Sequence, residues 1–163
     1  FPAGRFGVIA DPDGLGLQLL PFGGLAASTE PAGPLQDAEA LVRPRGLHRV
    51  LRYVSDLDAS REYYRRFFGP EAEASQGPGV WFAVGPTWFG LRQAPAGETP
   101  RIDRFCVNVS AGGFEHDAVA RELRSLGATI VAEPENEFLM FRSPEGIGVE
   151  LRPVDPARMW GRT

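Results

Sequence analysis

The chain has 163 residues, of which 43% are hydrophobic, 23% charged and 10% aromatic, a composition of one packed globular domain with a little left over rather than of two large domains or a disordered chain. Its net charge of −4 argues against a general nucleic-acid surface, which needs clustered cations in excess, and no run of 18 apolar residues is present to span a membrane. Cys106 has no second cysteine to pair with, and His48 and His116 are the only histidines, too few for a three-histidine metal site or a Cys/His zinc site within one chain.

The opening FPAGRF has neither the charged start nor the apolar stretch of a secretory signal. A chain that starts at Phe1 reads as the later part of a longer or processed product, and a reducing cytoplasm is the expected setting. Phe6 to Pro21, FGVIADPDGLGLQLLP, carries two short apolar runs around a Pro-acid-Gly turn and predicts a β-hairpin. It aligns without gaps on Phe138 to Pro153, FLMFRSPEGIGVELRP, so that Pro12 matches Pro144, Gly14 matches Gly146, Gly16 matches Gly148, Leu19 matches Leu151 and Pro21 matches Pro153. An apolar hairpin alone is marginal in water. Another unit is therefore expected to cover it.

Gly23 to Gly46, with Pro31, Pro34 and Pro44, has linker composition. Beyond it the run Arg49 to Ser55, RVLRYVS, matches Arg104 to Ser110, RFCVNVS, and a helix follows each. The first helix is predicted over Leu57 to Phe68, with Asp56 as N-cap, Gly69 as stop and Leu57, Tyr64, Phe67 and Phe68 near one face. The second is predicted over Phe114 to Leu126, with Val119, Leu123 and Leu126 on one face and Gly127 as its end. Three strands are expected after each: Glu71 to Gln76, Val80 to Val84 and Thr87 to Gln93, then Thr129 to Glu133, Phe138 to Arg142 and Gly148 to Arg152. The order is βαβββ, twice. The division expected is a hairpin over 1–22 that closes a preceding, truncated unit, a linker over 23–46, a complete domain over 47–153 built from halves 47–95 and 101–153, and a tail over 154–163 in which Met159 and Trp160 could dock on the body.

Several residues have plain structural readings. Cys106 reads as a buried structural thiol, and His116, at the start of the second helix, as solvated. Arg61, Arg65 and Arg66 read as an outer helix face pairing with Asp58 and Glu62. The GLG around Leu15 lacks the third glycine and the helix of a dinucleotide-binding loop. Strand alternation sends the members of the pairs Trp81-Phe82 and Trp88-Phe89 to opposite faces, one for the core and one for a ligand.

Paired βαβββ units with DPDG or SPEG turns before a final strand, and the opening VSDLDAS…YY…FFG, resemble the vicinal oxygen chelate superfamily of glyoxalases, extradiol dioxygenases and bleomycin resistance proteins. The resemblance implies an α+β fold in which the two modules form a cupped mixed sheet. It places the metal-ligand positions of the family at Arg49, Arg104 and Glu150, with a fourth near Gly90; the leading hairpin has Gln18 where the last strand has Glu150. Arginine offers five donors and no lone pair, so the site implied is a degenerate one, in which Arg49 and Arg104 hold an anion or neutralise Glu150. Glu150, Arg104 and Arg49 are the candidate catalytic residues, and Arg49, Arg104, Trp81, Trp88 and Tyr53 the candidate ligand-binding ones. Arg52 falls on the face beneath the helix in the simplest register. A bulge near Arg52 and Tyr53 would instead turn His48 toward the cup, making His48 and Glu150 the fallback metal ligands.

The function implied is binding or transformation of a small organic molecule, anionic or aromatic, without a cofactor. If the chain is an enzyme, its activity is of the lyase, isomerase or dioxygenase kind and independent of metal. The alternatives are a non-catalytic binding or resistance protein and a metal-dependent glyoxalase- or dioxygenase-like enzyme using Fe, Mn, Zn or Ni. The expected partners are a small-molecule ligand and either a second copy of the chain in a homodimer or an absent N-terminal domain, with no nucleic acid and no membrane.

Overall fold

Glycine at the third turn position lets each of the two matching segments reverse direction, and both form hairpins. In the computed structural model, which describes residues 7–19, 40–72, 78–132 and 137–155, β1 (Gly7–Ala10) pairs with β2 (Gly16–Leu19) as a separate two-stranded sheet. Further along lie β3 (Pro44–Val54), α1 (Leu57–Phe68), β4 (Val80–Val84) and β5 (Thr87–Gln93). The second half contributes β6 (Arg101–Ser110), α2 (His116–Ser125), β7 (Thr129–Ala132), β8 (Leu139–Arg142) and β9 (Gly148–Val154). β3 to β9 make a seven-stranded mixed sheet in the order β4-β5-β3-β6-β9-β8-β7. This is the α+β architecture expected of paired βαβββ units.

The duplication is visible in the pairing. β3 runs parallel to β5 and β6 runs parallel to β9, while β3 and β6 meet antiparallel at the centre. Each half packs its helix on the same side of the sheet over its own apolar cluster. Under α1 lie Val54, Tyr64, Phe82 and Leu91, and under α2 lie Val109, Val119, Leu123, Leu139 and Leu151. The Asp56 side chain accepts from the Ala59 amide and so caps α1, and Gly69 ends it with φ 89°. No helix among the described residues is long and apolar enough to cross a membrane.

Some boundaries differ from those expected. The linker ends earlier, because Pro44 and Gly46 already pair with Val109 and Asn108 of β6; residues 23–39 lie outside the described residues. Glu71 and Ala72 are not in a strand, although the Ala72 amide donates to the Trp81 carbonyl, and 73–77, 133–136 and the tail with Met159 and Trp160 lie outside the described residues. The second helix starts at His116 rather than Phe114 and is capped at Leu126, which is 64% exposed because it sits past the last packed turn. Phe67 is exposed and stacks on Tyr63 instead of entering the core. His116 is half-buried rather than solvated, against the Phe114 ring and the Phe138 carbonyl. Arg65 and Arg66 pair with Glu62 as expected, but Arg61 pairs with Glu71 rather than Asp58.

Candidate functional site

The face of the sheet away from the helices carries the candidate residues. Residues directly opposite one another on paired strands project to the same side. One such row runs Ala83, Trp88, Arg49, Cys106, Glu150, Met140 across β4, β5, β3, β6, β9 and β8. The next runs Trp81, Gly90, Leu51, Arg104, Gly148, Arg142 over the same strands. Their chain neighbours Phe82, Phe89, Val107, Phe141 and Leu151 pack beneath the helices, which puts both rows on the opposite, cupped face. Tyr53 shares this face by alternation, with the Arg101 guanidinium 5.1 Å from its ring centroid.

Three bulges tune β3 and β6, one of them between Pro44 and Gly46. The pairing shifts between Leu51 and Arg52, where β6 inserts Asp103, and between Leu47 and Arg49, where β3 inserts His48. Arg52 stays on the helix side. Its side chain is 2% exposed, with its Nη2 3.0 Å from Asp11 Oδ2 and 3.3 Å from Asp13 Oδ2 of the leading hairpin. The question of which residue turns inward therefore has an answer different from either alternative: Arg49 faces the cup, and the bulged His48 reaches it as well. Arg152 Nη1 donates to His48 Nε2 at 2.8 Å, and because a guanidinium only donates, that nitrogen must present its lone pair to Arg152.

At the centre, Arg49 Nη2 donates to both oxygens of Glu150, at 2.7 and 2.9 Å. The guanidinium carbon of Arg49 also lies 6.0 Å from the Trp81 ring centroid, a cation–π contact. The Cys106 thiol, fully buried, donates to Glu150 Oε1 at 3.4 Å. Burial, and next the Glu150 charge, push that thiol up to about 12. It is a proton donor here and not a nucleophile.

Arg104 shares the face but does not reach Glu150. Its Nε donates to Asp103 Oδ2 at 3.0 Å and its Nη1 to the Met140 sulfur at 3.3 Å. The proposed convergence of Arg49, Arg104 and Glu150 thus holds for two of its members, and Asp103 claims the third because the bulge presents a carboxylate one residue away. Asp103 and Arg142 escaped the sequence reading. Alternation along the last hairpin places Arg142 with Met140, but nothing in the sequence marks the bulge that aims Asp103.

The positions that the resemblance assigns to metal ligands carry few metal donors among the described residues. Arginine at two ligand positions has no lone pair to give, and Arg49 and Cys106 already donate to the Glu150 carboxylate. The position near Gly90 is closed as well, since a Cβ there would meet the Trp81 ring at 2.3 Å. Among the described residues no three His, Cys, Asp or Glu side chains gather as a ligand group. A surface hollow of about 680 Å³ at the start of α2, lined by Phe114, Glu115, His116, Asp117 and Arg121, lies on the helix side and holds none of the residues of the cup.

Residues 46–151 match the family model of the Glyoxalase/Bleomycin resistance protein/Dioxygenase superfamily. The chain belongs to that superfamily. Among solved structures it is similar to a Mn(II)-bound glyoxalase from Novosphingobium aromaticivorans, with 20% identity, a TM-score of 0.51 and coverage of 72% of this chain and 44% of that one. Methylmalonyl-CoA epimerase from Mycobacterium tuberculosis is similar at 24% identity, TM-score 0.46, over 72% of this chain and 93% of the epimerase. An extradiol ring-cleaving dioxygenase from B. fuscum is similar at 13% identity, TM-score 0.49, over 70% and 34%. At 20% identity the likeness to the glyoxalase is one of fold, and the chain spans less than half the length of the glyoxalase and the dioxygenase. No curated protein matches the chain.

Proposed function

We propose that the cup binds a small organic anion with an aromatic or apolar body, without a divalent metal held by Arg49, Arg104 or Glu150. The observation that carries this reading is the local charge. Among the described residues Arg49, Arg104, Arg142 and Arg152 share the cupped face, where Glu150 pairs with Arg49 and Asp103 with Arg104 and Arg142, on a chain whose net charge is −4. A cationic concavity on an acidic protein concentrates anions where the field is focused. Trp88 and Tyr53, both half-buried, supply aromatic surface on the other half of the face, beside the buried Trp81 ring. Calorimetric titration of the full chain with benzoate tests the reading: binding that weakens as salt rises is expected. Absence of binding of benzoate, phenyl phosphate and phenol alike, or a stoichiometric metal that is lost in Glu150→Gln and His48→Ala, overturns it.

A catalytic reading has one specific support, the Arg49-Glu150 pair. A ligand anion that drew Arg49 away would leave the Glu150 carboxylate as a proton acceptor beside the ligand. In that case Glu150→Gln removes turnover and preserves binding.

A further inference from the structure

Gly148, itself buried, lies on β9 between Arg104 on β6 and Arg142 on β8, since it pairs with both. A Cβ at this position would meet the Asp103 carbonyl oxygen at 2.6 Å and the Arg104 Cβ at 2.9 Å, so only glycine lets β6 and β9 approach this closely between the two arginines. The two arginines stand two strand spacings apart, about 10 Å. Both nevertheless reach one carboxylate: Arg104 Nε donates to Asp103 Oδ2 at 3.0 Å and Arg142 Nη2 to Oδ1 at 3.4 Å.

The Asp103 side chain is 2% exposed, against 20% for Arg104 and 37% for Arg142. One buried anion thus holds two half-open cations, and one positive charge is left over. The other acceptors for this pair are weak or neutral: the Met140 sulfur for Arg104 and the Gly146 carbonyl for Arg142. Guanidinium groups held in this way are oriented before a ligand arrives, which lowers the cost of binding.

We propose that Arg104 and Arg142, oriented by Asp103, form the anion subsite of the cup and take a ligand carboxylate or phosphate on their exposed guanidinium edges. This rests on the reading of the cup as a ligand site. The class of ligand is a single anionic group on an aromatic or apolar frame. Asp103 is a positioning residue.

The test is calorimetric titration of the full chain and its variants with phenol, benzoate and phenyl phosphate. Benzoate or phenyl phosphate should bind more tightly than phenol, and whichever binds better identifies the anion. Arg142→Gln should weaken the anionic probes about tenfold, the loss of a charge-assisted hydrogen bond, and leave phenol unchanged. Asp103→Asn removes a negative charge and should still weaken the anionic probes; tighter binding would reduce Asp103 to a neutralising charge and overturn its positioning role. Arg142 lies partly in solvent, so its variant reports on the subsite even where Asp103→Asn fails to fold. Should benzoate and phenyl phosphate bind Arg142→Gln as well as they bind the parent, the subsite falls and the cup reading stands. Should none of the three probes bind the parent, both fall.

Discussion

The hairpins β1–β2 and β8–β9 have the same turn and the same register but opposite surroundings. Gly7 faces Leu19 and Ala10 faces Gly16 in one, as Leu139 faces Leu151 and Arg142 faces Gly148 in the other. The Asp11 amide donates to the Leu15 carbonyl and the Gly14 amide to Asp11, just as Ser143 and Gly146 do at the matching positions. Yet Val8 is 63% exposed where its counterpart Met140 is 7% exposed. β8–β9 lies inside the seven-stranded sheet and uses both faces, one for the core under α2 and one for the cup.

β1–β2 docks instead through its turn. The Asp11 carboxylate accepts from the Tyr64 hydroxyl at 2.6 Å and from Arg52, Asp13 accepts from the Ser55 amide and hydroxyl, and Leu17 packs against the cluster under α1. A turn sequence specifies a hairpin by itself. What the hairpin then holds depends on whether its acidic residue meets solvent or a buried arginine.

The largest expected break in this comparison is Arg52→Ala. It leaves Asp11 and Tyr64 buried without their cation, so chemical denaturation should show a loss of about 3–5 kcal/mol; a loss under about 1 kcal/mol would mean that the ionic docking contributes little. Gly14→Ala and Gly146→Ala sharpen the likeness. Both glycines sit near φ +85° with nothing within 4 Å of an added Cβ, so each change should cost about 1–2 kcal/mol from backbone strain alone. Unequal losses would show that the surroundings, and not the turn, set the cost.

Acid should separate the hairpins more gently. Burial pushes the Asp13 carboxyl up, but hydrogen bonds from Ser55 and the charge of Arg52 hold it below its ordinary 3.8. A carboxyl lowered by folding stabilises the fold above its unfolded pKa and loses that contribution as pH falls through the folded value. Amide exchange in β1–β2 should therefore quicken below about pH 3.8 before exchange in β8–β9 does, and Asp13→Asn should remove the difference. The smallest effect is expected at Val8→Thr, within about 0.5 kcal/mol of the parent in a thermal melt, since the side chain is exposed where Met140 is not.

Much of this molecule was legible in the chain. The 16-residue repeat, the Asp56 cap, Gly69 and the alternating runs specify turns, ends and faces through local backbone preference, and these carry the βαβββ order and put Arg49, Arg104, Glu150, Trp81, Trp88 and Tyr53 on one face. The exceptions share a cause. His48 and Asp103 are extra residues in bulges, and a bulge depends on how two strands settle against each other over their full length. Arg52 looked misplaced on a helix-facing strand position because its partners, Asp11 and Asp13, lie some forty residues earlier.

The sequence by itself determined the fold family and the side chains available to the cup, because periodicity, turn glycines and residue type are properties of single positions. Only the tertiary structure decided the pairing. Arg49 rather than Arg104 meets Glu150, Asp103 gathers Arg104 with Arg142, and Trp81 covers Gly90, because charges choose partners by distance and burial across strands that no local pattern records.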